Sequence, residues 1–156
     1  MKHLPRRLTL AALLAILTLG AALSAVACGD SDSGSSAEPE VINALNILDK
    51  AGLHDIDTQI GTNKTIPSNA STTFQQLQTV TLLTEWPTKD LQTQAKALAA
   101  IFGEAAAATD GANPDMAAAA AASKKAHDGE HDFSHEVWDH LYEKAGIKGA
   151  DDAHGD

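Results

Sequence analysis

From residue 39 onward, apolar positions return every three or four residues, the period of one face of an α-helix. Val41, Ile42, Leu45, Leu48 and Ala51 make the first such stripe, and Gly52 follows as a stop, so the spacing predicts a helix over 39–51. The stretch 52–69 holds Gly61 and Pro67 and reads as a long connection, either functional or packed as a crossover through Leu53, Ile56, Ile60 and Ile66. Over 71–86, Phe74, Leu77, Leu82, Leu83 and Trp86 fit a helix, while Thr79, Val80 and Thr81 carry strand propensity. Helical neighbours and the lack of a partner strand favour the helix. Pro87 resets the chain, Thr88 is placed to cap the next helix, and Leu91, Ala95, Leu98, Phe102 and Ala105 form the clearest stripe, running to about 108.

Asp110, Gly111, Ala112 and Asn113 make a turn, and Pro114 suits the first turn of a helix that runs through the alanines to about 126. A final helix is predicted from Ser134 as cap, with Phe133 and Trp138 as a hydrophobic staple across its start. Its buried side is expected at Trp138, Leu141, Tyr142 and Ala145, and Gly146 ends it. Asp49-Lys50-Ala51-Gly52-Leu53 is echoed by Glu143-Lys144-Ala145-Gly146-Ile147, which reads more simply as two helix stops of the same kind than as a duplication. The pieces predict an all-α fold: an antiparallel bundle of four or five helices over 39–148, with one long connection after the first helix. Residues 149–156 read as a disordered acidic tail.

Composition narrows this picture. The chain has 156 residues, room for one domain, and is 44% hydrophobic but only 4% aromatic. Alanine runs at 105–108 and 117–122 supply much of the apolar share, so the core is expected to be thin and built from close-packed small residues. A single cysteine excludes an intrachain disulfide framework, a Cys-type zinc finger and an iron-sulfur site.

Charge divides the chain in two. Residues 1–27 carry Lys2, Arg6 and Arg7 with no acidic residue, then an uncharged apolar run over 8–27, the form of a secretory signal peptide. The run ends in Ala25-Val26-Ala27-Cys28, which resembles the lipobox of bacterial lipoproteins, where three small or aliphatic residues precede a lipid-modified cysteine. The resemblance covers the first 28 residues. It implies acylation of Cys28 and a lipid-anchored flexible linker over 28–38, and the Gly, Ser and Asp of residues 29–36 suit such a tether. An uncleaved transmembrane anchor and ordinary cleavage after Ala27 are the rival readings; about 20 residues at about 1.5 Å each do span a bilayer core. All three place the rest of the chain outside the cytoplasm. Eight basic and all 21 acidic residues follow position 27, so that part stands at −13, with no arginine. Such a surface repels nucleic acid and anionic headgroups, leaving lipid rather than a basic patch to hold it at a membrane.

The densest chemistry lies between 127 and 140. His127, His131, His135 and His140 are interleaved with Asp128, Glu130, Asp132, Glu136 and Asp139. A spacing of four sets His127 and His131, or His131 and His135, on one helix face, where two imidazoles can reach one ion; zinc, copper or nickel is the class they suit. Gly129 invites a chain break, in which case the histidines line a corner between two helices. His54, with Asp55 and Asp57, follows the first helix and can meet that corner in an up-down bundle. A solvated acidic corner carries the same residue types without binding anything, and carboxylates beside exposed imidazoles also favour a pH response. No His-Glu-x-x-His, EF-hand loop, Cys-x-x-Cys-His, glycine-rich phosphate loop or nucleophile elbow is present. Asn63-Lys64-Thr65 and Asn69-Ala70-Ser71 match the glycosylation sequon, and in a bacterial lipoprotein they are chance matches. The expectation is a non-enzymatic cell-envelope lipoprotein that binds a ligand or partner, with transition-metal binding or buffering through His127, His131, His135, His140 and His54 as the alternative.

Overall fold

Positions spaced four and three apart in alternation govern which residues are buried. The computed structural model describes residues 37–147, all within one compact unit: α1 (Ala37–Asp49), α2 (Leu53–Gly61), α3 (Ala70–Leu83), α4 (Lys89–Ala108) and α5 (Met116–Lys144), with no strand among the described residues. The expected export segment 1–27, Cys28, the expected linker up to residue 36 and the expected tail 149–156 lie outside them. No helix among the described residues is long and apolar enough to cross a membrane. Leu91, Ala95, Leu98, Phe102 and Ala105 are buried on α4, and Ala70, Phe74, Leu77 and Thr81 on α3. On α5 the inward row is Ala119, Ser123, Ala126, Glu130, Phe133 and Val137. That mean period of 3.5 is the seam of coiled-coil-like packing, in which side chains of one helix enter gaps on the next.

The chain runs up and down in four legs. α3 packs on α4 and α4 on α5, each pair joined by a short connection, while α2 lies against α5 and α1 against both α3 and α5. Along this first leg the partners descend as the chain ascends: Glu38 meets Lys144 at 2.6 Å, His54 meets His127, and Asp57 meets His127. α1 and α2 therefore act as one interrupted leg, antiparallel to α5. The interruption is at Gly52, whose φ of 70° only glycine adopts freely. Gly146 takes φ 71° after α5, where the Ile147 N–H donates to the Tyr142 carbonyl at 2.9 Å and the Gly146 N–H to the Glu143 carbonyl at 3.0 Å, a Schellman stop. The echoed pentapeptides are thus two left-handed glycine stops.

Several boundaries differ from the sequence reading. The connection expected over 52–69 carries a helix of its own, α2, and its Leu53, Ile56 and Ile60 are buried as a packed crossover requires, with Ile66 half-buried. The helix over 71–86 is borne out at its start but ends at Leu83. Leu82 and Leu83 face outward, Leu83 at 80% exposure, because Thr81 takes the inward position one residue earlier. Trp86 folds back beyond the helix end, donating from Nε1 to the Thr81 carbonyl at 2.9 Å and meeting Phe133 edge-on at 4.7 Å. Thr88 does cap α4, its hydroxyl accepting from the Leu91 N–H at 3.1 Å.

The larger correction concerns the C-terminal third. No break occurs at Gly129 and no helix starts at Ser134; α5 is continuous for 29 residues, about 43 Å, and Asp115 caps it by accepting from the N–H groups of Ala117 and Ala118. Ser134 donates to Glu130 instead of capping, Phe133 packs on Trp86 instead of stapling, and Trp138 stacks on Tyr142 at 5.8 Å. Phe133, Ser134 and Val137 are the buried residues of this segment; Trp138, Leu141 and Tyr142 are half-buried and Ala145 is exposed.

A mid-helix glycine has a measurable signature. A Cβ on Gly129 would lie 3.4 Å from Leu98 Cδ1 and 3.6 Å from Ile101 Cδ1, van der Waals contact without overlap. Gly129→Ala is expected to raise the unfolding free energy by about 0.5–1 kcal/mol through helix propensity, measured by urea denaturation. A loss of stability would mean that the chain turns there.

Candidate functional site

α2 and α5 carry most of the residues with chemistry to offer, and the antiparallel register brings them together. The imidazoles of His54 and His127 stand with centroids 5.4 Å apart and planes at 65°, joining α2 to α5. Asp57, one turn along α2, sets a carboxylate oxygen 3.7 Å from His127 Nδ1. His54, His127, Asp128, His131 and Asp132 line one cavity of about 590 Å³. His131 also meets His135 one turn further on, centroids 4.4 Å apart. His140 sits half-buried two and a half turns beyond His131, and neither it nor His135 is among the residues lining that cavity. The continuous helix thus turns the expected corner into a stripe on α5, which His54 meets from α2. As placed, no three His, Cys, Asp or Glu side chains among the described residues converge on one point at ligand distance.

A second, larger opening shares Asp128. It has a volume of about 780 Å³ and an apolar floor that includes Ile101, Ala120 and Gly129, with Asp57 and Lys124 at its edge. Small residues create it, because Gly61 on α2 and Ala120, Ala121 and Gly129 on α5 leave space where larger side chains would meet. Lys124 bridges Asp128 at 2.7 Å, and Lys125 bridges Glu104 of α4 at 2.8 Å. The Lys124 ammonium hydrogen-bonds Asp128 and holds its carboxyl below the usual aspartate range, while Asp128 raises the lysine in return. Both groups are solvent-exposed, so this pair shapes the rim more than it stabilises the fold.

Beneath the histidines, Glu130 points inward and is only 8% exposed. The Ser134 hydroxyl donates to its Oε1 at 2.7 Å. Burial pushes the Glu130 carboxyl above the ordinary glutamate range; the Ser134 hydrogen bond opposes this, the Asp49 carboxylate adds to it, and His131 and His127 oppose it weakly. The run His-Asp-Gly-Glu-His shows the residue types but not that Glu130 alone among its carboxylates enters the core. The signal that finds it is the alternating four-three spacing from Ala119 through Ala126 to Phe133 and Val137, which reserves position 130 for the inside. The groove had no such signal, since the alanines and glycines that make it read as core filler.

The sign of the Glu130 shift fixes a pH dependence. Unfolded, the carboxyl ionises in the ordinary range; folded, it keeps its proton to higher pH, so stability falls as pH rises through the unfolded and then the folded value. Glu130→Gln removes that loss: thermal melts are expected to show a higher midpoint than the parent at pH 7, with the gap closing on acidification below the ordinary glutamate range. A variant melting below the parent at pH 7 would show that the ionised carboxylate stabilises the core. No family model, curated protein or solved structure matches the chain.

Proposed function

We propose that the chain is a non-enzymatic lipoprotein of the bacterial cell envelope, held to a membrane by acyl chains on Cys28 and presenting its acidic helical bundle outside the cytoplasm as a ligand- or partner-binding module. Ala25-Val26-Ala27-Cys28 after an apolar run, and the small polar tether behind it, support the anchoring. One observation carries the binding: on the α2–α5 face, an apolar-floored groove of about 780 Å³ and a histidine-lined cavity of about 590 Å³ meet at Asp128. Open, partly apolar concavities with a few charged groups at the rim are where small ligands and peptide segments are held. The −13 charge beyond position 27 sets the choice of ligand against nucleic acid and toward cations or basic surfaces.

The anchoring has a direct test. Bacteria expressing the full chain and fed labelled palmitate are expected to yield a labelled membrane-bound protein that begins at residue 28, identified by mass spectrometry of its N-terminal peptide. Cys28→Ser takes up no label and keeps residues 1–27. A parent protein that stays in the cytosol, or begins with an unacylated Cys28, removes the lipoprotein reading.

A further inference from the structure

We propose that His54, His127 and His131 form a site for one divalent transition-metal ion across the α2–α5 interface, with Asp57 orienting His127. This names a ligand for the binding face and rests on the reading of that face as a binding surface. The argument begins with a distance. Two imidazoles on one tetrahedral ion, each with its nitrogen about 2.0–2.1 Å from the metal and its ring centre about 1.1 Å behind that nitrogen, have centroids about 5.1 Å apart. The His54 and His127 rings, from different helices, stand at 5.4 Å. The His131 and His135 rings, at 4.4 Å and tilted 49° to one another, are closer than tetrahedral ligation allows.

Second-sphere chemistry points the same way. The Asp57 carboxylate stands 3.7 Å from His127 Nδ1, a small side-chain movement from a hydrogen bond that leaves Nε2 as the ligating nitrogen, and a carboxylate so bonded to a ligating histidine fixes its tautomer and raises its basicity. His131 is the third donor: it lies one turn from His127, lines the cavity that His54 and His127 line, and is exposed, so its ring can swing from His135 toward the ion. That rotation is what completes a set that does not converge as placed. Asp128 and Asp132 on the same wall supply negative potential, and water fills the open fourth position. Imidazole-rich sites of this kind select zinc, copper or nickel over calcium or magnesium, which require oxygen cages.

Zinc chloride is the probe, titrated by calorimetry into the full chain purified in detergent and stripped with chelator. One ion per chain is expected. His54→Ala and His127→Ala each weaken binding about tenfold or more, and Asp57→Asn weakens it by about tenfold at unchanged stoichiometry. His140→Ala leaves the affinity unchanged. Circular dichroism of each variant checks the fold, and exposed His54 can be replaced without disturbing the core. Absence of zinc binding by the parent overturns the site. So does parental affinity in His54→Ala, with binding lost instead in His135→Ala or His140→Ala, since the ion would then sit on α5 alone. Zinc binding by a chain that proves to be unacylated upholds the site and removes only the anchoring; palmitate uptake without zinc binding does the reverse.

Discussion

Close approach between alanine-rich helices is the constraint on which the remaining architecture depends. An alanine offers one methyl group, so a helix such as α4 or α5 gains from burial only where backbones come near enough for methyls to touch across the seam. Ala95, Ala99, Ala105 and Ala106 on α4 and Ala119 and Ala126 on α5 are buried, and larger residues such as Phe74, Phe102, Leu45 and Ile60 fill the rest of the core. The same smallness has an outward effect. Where α2 passes α5, small residues on both helices leave a gap, which becomes the groove floored by Ile101, Ala120 and Gly129. One compositional choice therefore tightens the inside of the bundle and opens its side.

How much of this was legible in the sequence depended on whether core positions were apolar. The α4 stripe was fully apparent because Leu91, Ala95, Leu98, Phe102 and Ala105 are all hydrophobic at regular spacing. α5 obeys the same rule, yet Ser123 and Glu130 occupy two of its inward positions, so the stripe faded and Gly129 looked like a break. Leu82 and Leu83 misled in the opposite sense, since exposed leucines extended a stripe whose next true member was Thr81. The packing of Leu53, Ile56 and Ile60 was readable, but nine residues ending in glycine carry too little periodicity to declare α2 a helix. At the candidate site, local spacing identified the histidines of α5. The pairing of His54 with His127 is a product of inter-helix register, which no local pattern encodes.

Thr81, Thr109, Ser123, Glu130 and Ser134 are polar residues buried inside the bundle, which apolar packing alone does not explain. Thr109 satisfies its hydroxyl by donating to the Ala105 carbonyl at 2.8 Å, and Ser134 satisfies its own on Glu130, whereas the Thr81 and Ser123 hydroxyl oxygens are buried without a hydrogen-bond partner. Unpartnered hydroxyls and a buried carboxyl subtract from stability. Glu130 and Ser134 stand one turn apart on α5, so their hydrogen bond offsets part of the cost of burying the carboxyl without fixing how α5 aligns with its neighbours.

The left-handed joint at Gly52 divides the first leg into helices of 13 and 9 residues. An isolated helix below about 12–15 residues barely holds in water, so neither half is self-sufficient: α2 takes its order from α5, and α1 from the pair α3 and α5. The short helices of the first leg thus depend on partners distant in sequence, so local order at the start of the bundle is tied to the packing of its end.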